Sequence, residues 1–205
     1  SLGFNNTGSK KIRKNLSKIR NTFAKNRIIG VNLGKNKSDY KLIDDYLIGM
    51  EELGELASYI TINISSPNTE GLRDLQLRGN IENLIKKIIL KREEILTINK
   101  KPVFIKISPD LNEDQLRDIA LIALANNIDG LILTNTTINR PKNLLSKNKI
   151  YKGGLSGKPL FSRSNDILKK MYNLTNGQIT LIGVGGISNG SDCYEKIKSG
   201  ASLVQ

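Results

Sequence analysis

The chain has 205 residues, with 32 Lys+Arg against 19 Asp+Glu, no His, no Trp and one Cys, giving a formal charge of +13. Without histidine there is no Ser-His-Asp triad, no Cys-His dyad and no histidine-ligated zinc; a single cysteine builds no internal disulfide framework. At 38% hydrophobic and 25% charged, with no apolar run of about 18 residues and no signal-like start, the composition is that of a globular domain with a substantial core.

Short runs rich in Ile and Val alternate with amphipathic stretches. In chain order, a strand is predicted over Arg27–Leu33, a helix within Asp39–Leu56 and a strand over Tyr59–Ile64. A helix over Ile81–Leu96 follows, with Asn80 as its N-cap, then a strand over Val103–Ile107. The next helix starts after Asn112, where Gln115 completes a capping box, and buries Leu116, Ile119, Ala120, Ala123 and Leu124. A strand over Gly130–Thr134 leads into a polar, basic loop, Asn139–Lys152. A helix over Asp166–Leu174, a strand over Ile179–Val184, a helix over Ser191–Ser199 stopped by Gly200, and a strand beginning at Ala201–Gln205 complete the chain. Nearly continuous apolar strands between helices indicate an α/β fold with a parallel sheet. A doubly wound sheet and a (β/α)8 barrel both fit. A barrel needs eight strands and about 250 residues, so either the sheet is open or the chain is part of a larger barrel.

The polar residues gather at the strand ends. They are Asn32 after the first strand, and Asn63, Ser65, Ser66, Pro67, Asn68 and Thr69 after the second. Ser108, Pro109 and Asp110 follow the third, Thr134, Asn135, Thr136 and Thr137 end the fourth, and Gly183, Gly185 and Gly186 end the fifth. One such cluster is what any turn or cap would use, but repetition at every carboxyl end is where parallel α/β enzymes build their sites. Lys106 stands out within V-F-I-K-I, because a lysine in a buried strand is costly unless it meets an anion or polarised ligand. The alternative is an edge strand that turns Lys106 to solvent. The stretches Lys152–Gly157 (K-G-G-L-S-G) and Gly183–Ile187 (G-V-G-G-I) suggest a phosphate held by backbone N–H groups, though neither is a dinucleotide or Walker fingerprint. No metal-ligand cluster is visible, and Asp44 and Asp45 face different directions on their helix. The candidate nucleophiles or bases are Ser65, Ser66 and Cys193, of which Cys193 reads as a buried packing residue. The basic residues are scattered, Asn, Ile and Lys are abundant together as in AT-biased coding, and only 5% of residues are aromatic, so the charge does not argue for nucleic acid.

At N-I-S-S-P-N-T (Asn63–Thr69) the sequence resembles the dihydroorotate dehydrogenases, specifically their quinone-linked class 2. Further segments agree in order: L-G-F-N-N (Leu2–Asn6), G-V-N-L-G-K-N (Gly30–Asn36), G-L-R-D-L-Q (Gly71–Gln76), I-K-I-S-P-D-L (Ile105–Leu111) and T-N-T-T (Thr134–Thr137). G-G-L-S-G-K-P-L (Gly153–Leu160), G-V-G-G-I and G-A-S-L-V-Q carry the resemblance to the last residue.

The resemblance implies a single FMN-binding (β/α)8 TIM barrel domain over residues 1–205, showing about six of its eight strands and incomplete at both ends. It implies oxidation of dihydroorotate to orotate in pyrimidine biosynthesis, with a base taking the C5 proton, hydride passing from C6 to the flavin, and ubiquinone or menaquinone reoxidising it. Ser66 is the implied base, where class 1 enzymes have cysteine, with Phe4 and Thr69 in its proton relay in a closed, largely dry site. Gly3, Phe4, Asn63, Asn68, Asn135 and Thr136 are the implied orotate contacts, amide edges suiting a planar carboxylated pyrimidine. Asn32, Asn63, Lys106 and Thr134 would face FMN, Lys106 at the edge where negative charge develops, and Gly157 and Gly186 would hold the phosphate. No metal and no nucleic acid are implied. Membrane association would be peripheral, on the mitochondrial inner or bacterial cytoplasmic membrane, through a segment outside this chain. The family's first two strands would precede Ser1, and the 205 residues alone are expected neither to close a barrel nor to be active. Two other readings compete: another FMN barrel reductase such as a tRNA-dihydrouridine synthase, which would use a loop cysteine, and a non-catalytic basic binding module, which gives Lys106 no reason to be buried.

Overall fold

The computed structural model describes residues 5–22, 26–35, 43–96 and 100–205. Six strands form one sheet: β1 (Gly30–Leu33), β2 (Tyr59–Asn63), β3 (Val103–Ile107), β4 (Gly130–Leu133), β5 (Thr180–Gly183) and β6 (Leu203–Val204). Each strand pairs in parallel with the next, so the spatial order is the chain order. That order decides between the two candidate architectures. A doubly wound sheet reverses its order at a switch point, whereas a sheet that always adds its next strand on the same side curls into the wall of a barrel. The described chain is a curled, six-stranded part of such a wall.

The helices are α1 (Ser9–Arg20), α2 (Asp44–Leu53), α3 (Arg78–Ile95), α4 (Glu113–Ala125), α5 (Phe161–Thr175) and α6 (Gly190–Lys198). Alternation along the strands sorts side chains into two cores. Ile60, Ile62, Ile105, Leu131 and Leu181 face outward and meet the apolar stripes of α3, α4 and α5, among them Ile81, Ile85, Ile119 and Met171. Phe104, Ile132 and Ile182 point to the concave side and form a second, smaller cluster with Tyr59 and Val184. Fully burying one such aliphatic side chain contributes about 1.5–3 kcal/mol, so the larger outer layer supplies most of the fold's stability. The inner layer near the strands' carboxyl ends is left for other purposes.

The capping box on α4 forms as read: Asn112 Oδ1 accepts from the Gln115 N–H at 2.9 Å, and Gln115 Oε1 accepts from the Asn112 N–H at 3.0 Å. Asn189 caps α6 by accepting from the Asp192 N–H at 2.9 Å, and Gly200, with φ 110°, follows the helix end. Two local expectations are corrected, and one helix had no expectation. α3 starts at Arg78, and Asn80 is not its cap; the Asn80 amide donates backward to the Asp74 carbonyl at 2.8 Å, tying the helix to the 3-10 turn Leu72–Gln76. α5 starts at Phe161, because a 3-10 turn at Lys158–Leu160 containing Pro159 leads directly into it. α1 was not expected: its stripe of Ile12, Leu16 and Ile19 is thin and interleaved with lysines and arginines. Of the helix expected within Asp39–Leu56, residues 39–42 lie outside the described residues, and a 3-10 turn at Gly54–Leu56 ends it. The long basic loop after β4 is pinched at its neck by an isolated antiparallel bridge, Thr137 to Leu155.

Candidate active site

The concave side of the sheet holds a cleft of about 380 Å³. Asn32, Asn63, Ser66, Asn68, Lys106 and Asn135 all line it. Tyr59, Thr61, Ile132 and Gln205 complete much of the wall. The register explains the gathering: Asn32 pairs with Thr61, Asn63 with Lys106, and Lys106 with Ile132, and paired positions on neighbouring strands share a face.

Lys106 sits on β3, which has β2 on one side and β4 on the other, so the edge-strand alternative fails. Its side chain is half-buried in the cleft, and burial holds its pKa below the ordinary lysine value, with no carboxylate among the described residues to oppose this. A desolvated ammonium of this kind suits an anion or an electron-rich edge.

The two serines after β2 are separated by geometry. Ser65 is fully buried, and its hydroxyl donates to Asn63 Oδ1 at 3.0 Å and accepts from Asn135 Nδ2 at 3.1 Å. It does not line the cleft. Ser66 does, and its Oγ accepts from the Asn68 N–H at 3.2 Å. Asn63 Oδ1 also accepts from the Ser65 N–H and from Asn135 Nδ2, both at 3.3 Å, and Asn135 Oδ1 accepts from the Thr136 N–H at 2.8 Å. From behind, the buried Tyr46 hydroxyl donates to the Asn63 carbonyl at 2.9 Å, and burial raises the Tyr46 pKa well above its ordinary value. Asn63 and Asn135 are therefore held in fixed orientations before any ligand arrives. Beside Ser66, Asn68 Oδ1 and Thr69 Oγ1 are buried with no hydrogen-bond partner among the described residues. Such groups cost about 1–3 kcal/mol each unless something pairs with them, which marks this as a place for a polar ligand.

Thr134 is buried next to the cleft, its hydroxyl donating to the Asn135 carbonyl at 2.9 Å. Thr136 is half-buried one residue further on. Gly3 and Phe4 lie outside the described residues. Cys193 is half-buried on α6, away from the lining, and Asp44 and Asp45 occupy the first turn of α2. Among the described residues no three metal-ligating side chains come together.

The two glycine-rich stretches meet. Gly186 has φ 72° and Gly157 φ 78°, and a Cβ added to Gly186 would lie 2.9 Å from the Gly157 carbonyl and 2.7 Å from Phe161 Cβ. Only glycine permits this approach at this backbone angle. Two lysines stand over the Phe161 ring, Lys158 Nζ at 4.6 Å and Lys196 Nζ at 5.2 Å from its centroid. Lys158 also pairs with Asp192 at 3.0 Å. Lys196 is fully buried and donates to Ser164 Oγ; burial pulls its pKa down to about 8 against the opposing pull of Asp192. Close-set backbone with positive charge behind it suits a phosphate.

Reading the sequence missed Tyr46, Thr61 and the ion pair of Arg73 with Asp110. Thr61 alternates with Tyr59 and Asn63 along β2, a period-2 signal that could have found it. Nothing local marks Tyr46 or Arg73, whose partners come from distant segments.

Known proteins match the chain throughout. The family model described as dihydroorotate dehydrogenase matches residues 1–205. The "Dihydroorotate dehydrogenase (quinone)" of Parvibaculum lavamentivorans is 48% identical over 204 residues, covering 100% of this chain and 56% of that protein. The mitochondrial "Dihydroorotate dehydrogenase (quinone)" of Mus musculus is 48% identical over 177 residues, covering 86% of this chain and 45% of that protein. The crystal structure of DHODH from Eimeria tenella in complex with ferulenol superposes with a TM-score of 0.93 at 39% identity, covering 99% of this chain and 59% of that one. The chain spans about half the length of the curated relatives it matches. With the family match running from the first residue to the last and nearly half of the positions identical to the bacterial relative, the chain belongs to the dihydroorotate dehydrogenase family.

Proposed function

We infer that the protein carrying this chain binds FMN and oxidises dihydroorotate to orotate, with a quinone as electron acceptor, in pyrimidine biosynthesis. The observation that carries this reading is the cleft in which Ser66, the oriented amides of Asn63 and Asn135, and the unneutralised Lys106 share one concave face. When bound, FMN supplies the hydride acceptor. The chain's own residues do the rest. Asn63, Asn68, Asn135 and Thr136 present amide and hydroxyl groups to the edges of a planar carboxylated pyrimidine. Ser66 Oγ receives the proton leaving the substrate carbon and passes it to solvent through a water chain beside Thr69, with Phe4 as an apolar flank of that path. A serine is a weak base, so exclusion of bulk water and a fixed geometry carry much of the effect. Lys106 offers positive charge to the edge of the cofactor that becomes electron-rich, beside Asn32, Asn63 and Thr134. Gly157 and Gly186 hold the phosphate through backbone N–H groups, with Lys158 and Lys196 behind them.

The acceptor is a quinone, as in the names of the bacterial and mouse relatives, and for this protein we propose ubiquinone or menaquinone. No helix among the described residues is long and apolar enough to cross a membrane. The reading places the protein peripherally on a mitochondrial inner or bacterial cytoplasmic membrane, held there by another segment of the full protein.

The test is direct. The purified full protein should show a flavin absorption spectrum and reduce quinone, in preference to fumarate or NAD, when given dihydroorotate. Ser66→Ala should keep the flavin and lose roughly 100- to 10,000-fold in turnover. A colourless folded protein overturns the FMN reading; a fully active Ser66→Ala enzyme overturns the serine base; a preference for fumarate overturns the quinone assignment.

A further inference from the structure

Three carboxyl-end loops meet at one ion pair. Arg73 lies in the 3-10 turn Leu72–Gln76, after β2. Its guanidinium donates in three directions: Nε to the Ser65 carbonyl at 3.1 Å, Nη1 to Asp110 Oδ2 at 2.8 Å, and Nη2 to the Thr136 carbonyl at 3.1 Å. Asp110 follows β3 and accepts in addition from the Ile138 N–H at 2.9 Å, from Asn139 Nδ2 at 3.3 Å and from the Thr137 hydroxyl. The two side chains are only 22% and 11% exposed, so the pair is largely out of water. Gln76, in the same turn, accepts from the Ser108 N–H at 2.8 Å and fixes the turn to the β3 loop a second time.

Neither Arg73 nor Asp110 lines the cleft. The two carbonyls that Arg73 holds are each one residue from a group that does: Ser65 precedes Ser66, and Thr136 follows Asn135. A rigid planar fork can bind two carbonyls and a carboxylate at once; an ammonium on a flexible stem cannot hold the same three directions.

We propose that Arg73, locked in place by Asp110, is a positioning residue that sets the separation between Ser66 on the β2 loop and Asn135 on the β4 loop. The role rests on the reading of Ser66 as the base. The substrate must touch both residues at once, and a misplacement of about 1 Å between reacting groups costs roughly 100-fold in rate. Without the clamp the β2 and β4 loops would keep the bonds from the Asn135 amide to Asn63 and Ser65 but lose the guanidinium that holds the Ser65 and Thr136 carbonyls at a fixed separation.

The test uses the full flavin-loaded enzyme and the rate at which dihydroorotate bleaches the flavin in the absence of quinone. Arg73→Lys and Asp110→Asn should retain bound flavin and bleach roughly 100-fold more slowly. Introduced into Ser66→Ala, Arg73→Lys should add less than about threefold, because no base remains to be misplaced. A purely structural role moves the melting temperature but shows no such coupling to Ser66. If Arg73→Lys does not fold with its flavin, Asp110→Asn goes through the same cycle. The clamp is overturned by a folded variant bleaching at the wild-type rate, or by an equal loss in both backgrounds. A Ser66→Ala enzyme as fast as wild type removes the base reading and this role with it. A slow Ser66→Ala beside an unimpaired Arg73→Lys removes the clamp alone.

Discussion

Lys106 and Lys196 are both desolvated lysines, yet only the first was conspicuous in the sequence. Lys106 interrupts an apolar strand, so its cost is visible locally. Lys196 sits on a short helix among other charged residues, where a lysine is ordinary; only the close packing of α6 over Ser164 and Phe161 reveals that it is fully buried. Its folded pKa, about 8, lies below its ordinary value of 10.5. Between those values the unfolded chain holds a proton that the folded chain has lost, so stability rises with pH across this window. Below about pH 8 the burden of a buried charge is fully present. Lys196→Met should therefore melt no lower than wild type at neutral pH and should lose the part of the rise that wild type shows between about pH 8 and 10.5, as thermal melts across that range will show. The same contrast explains Ser65 and Ser66. Read from the residues alone both were candidates; the family resemblance named Ser66, and in the structure Ser65 is occupied by hydrogen bonds while Ser66 lines the cleft.

At the level of elements, the strands were the legible part and the helix starts were not. All six strands fall within the predicted runs; β2 to β5 are mostly buried along their length and leave a nearly unbroken apolar record, whereas β1 and β6 are partly exposed. Helix starts depend on a few capping atoms and on what precedes them. Asn112 capped as its spacing required, but Asn80 turned its amide to an earlier carbonyl, and Pro159 opened a turn that carried α5 further towards the amino terminus. α1 escaped notice because its apolar stripe covers a single narrow face, which packs on α2. The α4 box makes a measurable claim. Asn112→Ala removes the acceptor for the Gln115 N–H and leaves the Gln115 side chain without its organised partner, which should destabilise the domain by about 1 kcal/mol in a chemical-denaturation titration. Activity should not change, since α4 starts away from the cleft lining.

At the scale of the whole molecule, the sheet order matters more than the strand count. The sequence showed alternating strands and helices but could not say whether each new strand joins on the same side, because that is set by long-range packing. Within the described residues β1 and β6 each pair on one side only, leaving backbone groups open at both margins. A polypeptide of these 205 residues, with a formal charge of +13, is torn between edge pairing and self-repulsion. Light scattering should show it associating, and more so as added salt screens the repulsion; a monomer that melts cooperatively in high salt contradicts this. The neck between Thr137 and Leu155, closed by backbone bonds of 3.1 and 2.7 Å, has a different bearing. It anchors the base of the outer loop, so the stretch from Lys142 to Ser146, short of the Lys149 and Ile150 that share a cavity with Pro67, is free to lengthen, shorten or accept a grafted epitope. Closure of a flexible loop costs only about 0.6 kcal/mol for each doubling of its length, and Asn135 and Thr136 would stay where they are. Sequence drift and protein engineering alike have an outlet there that leaves the chemistry below untouched.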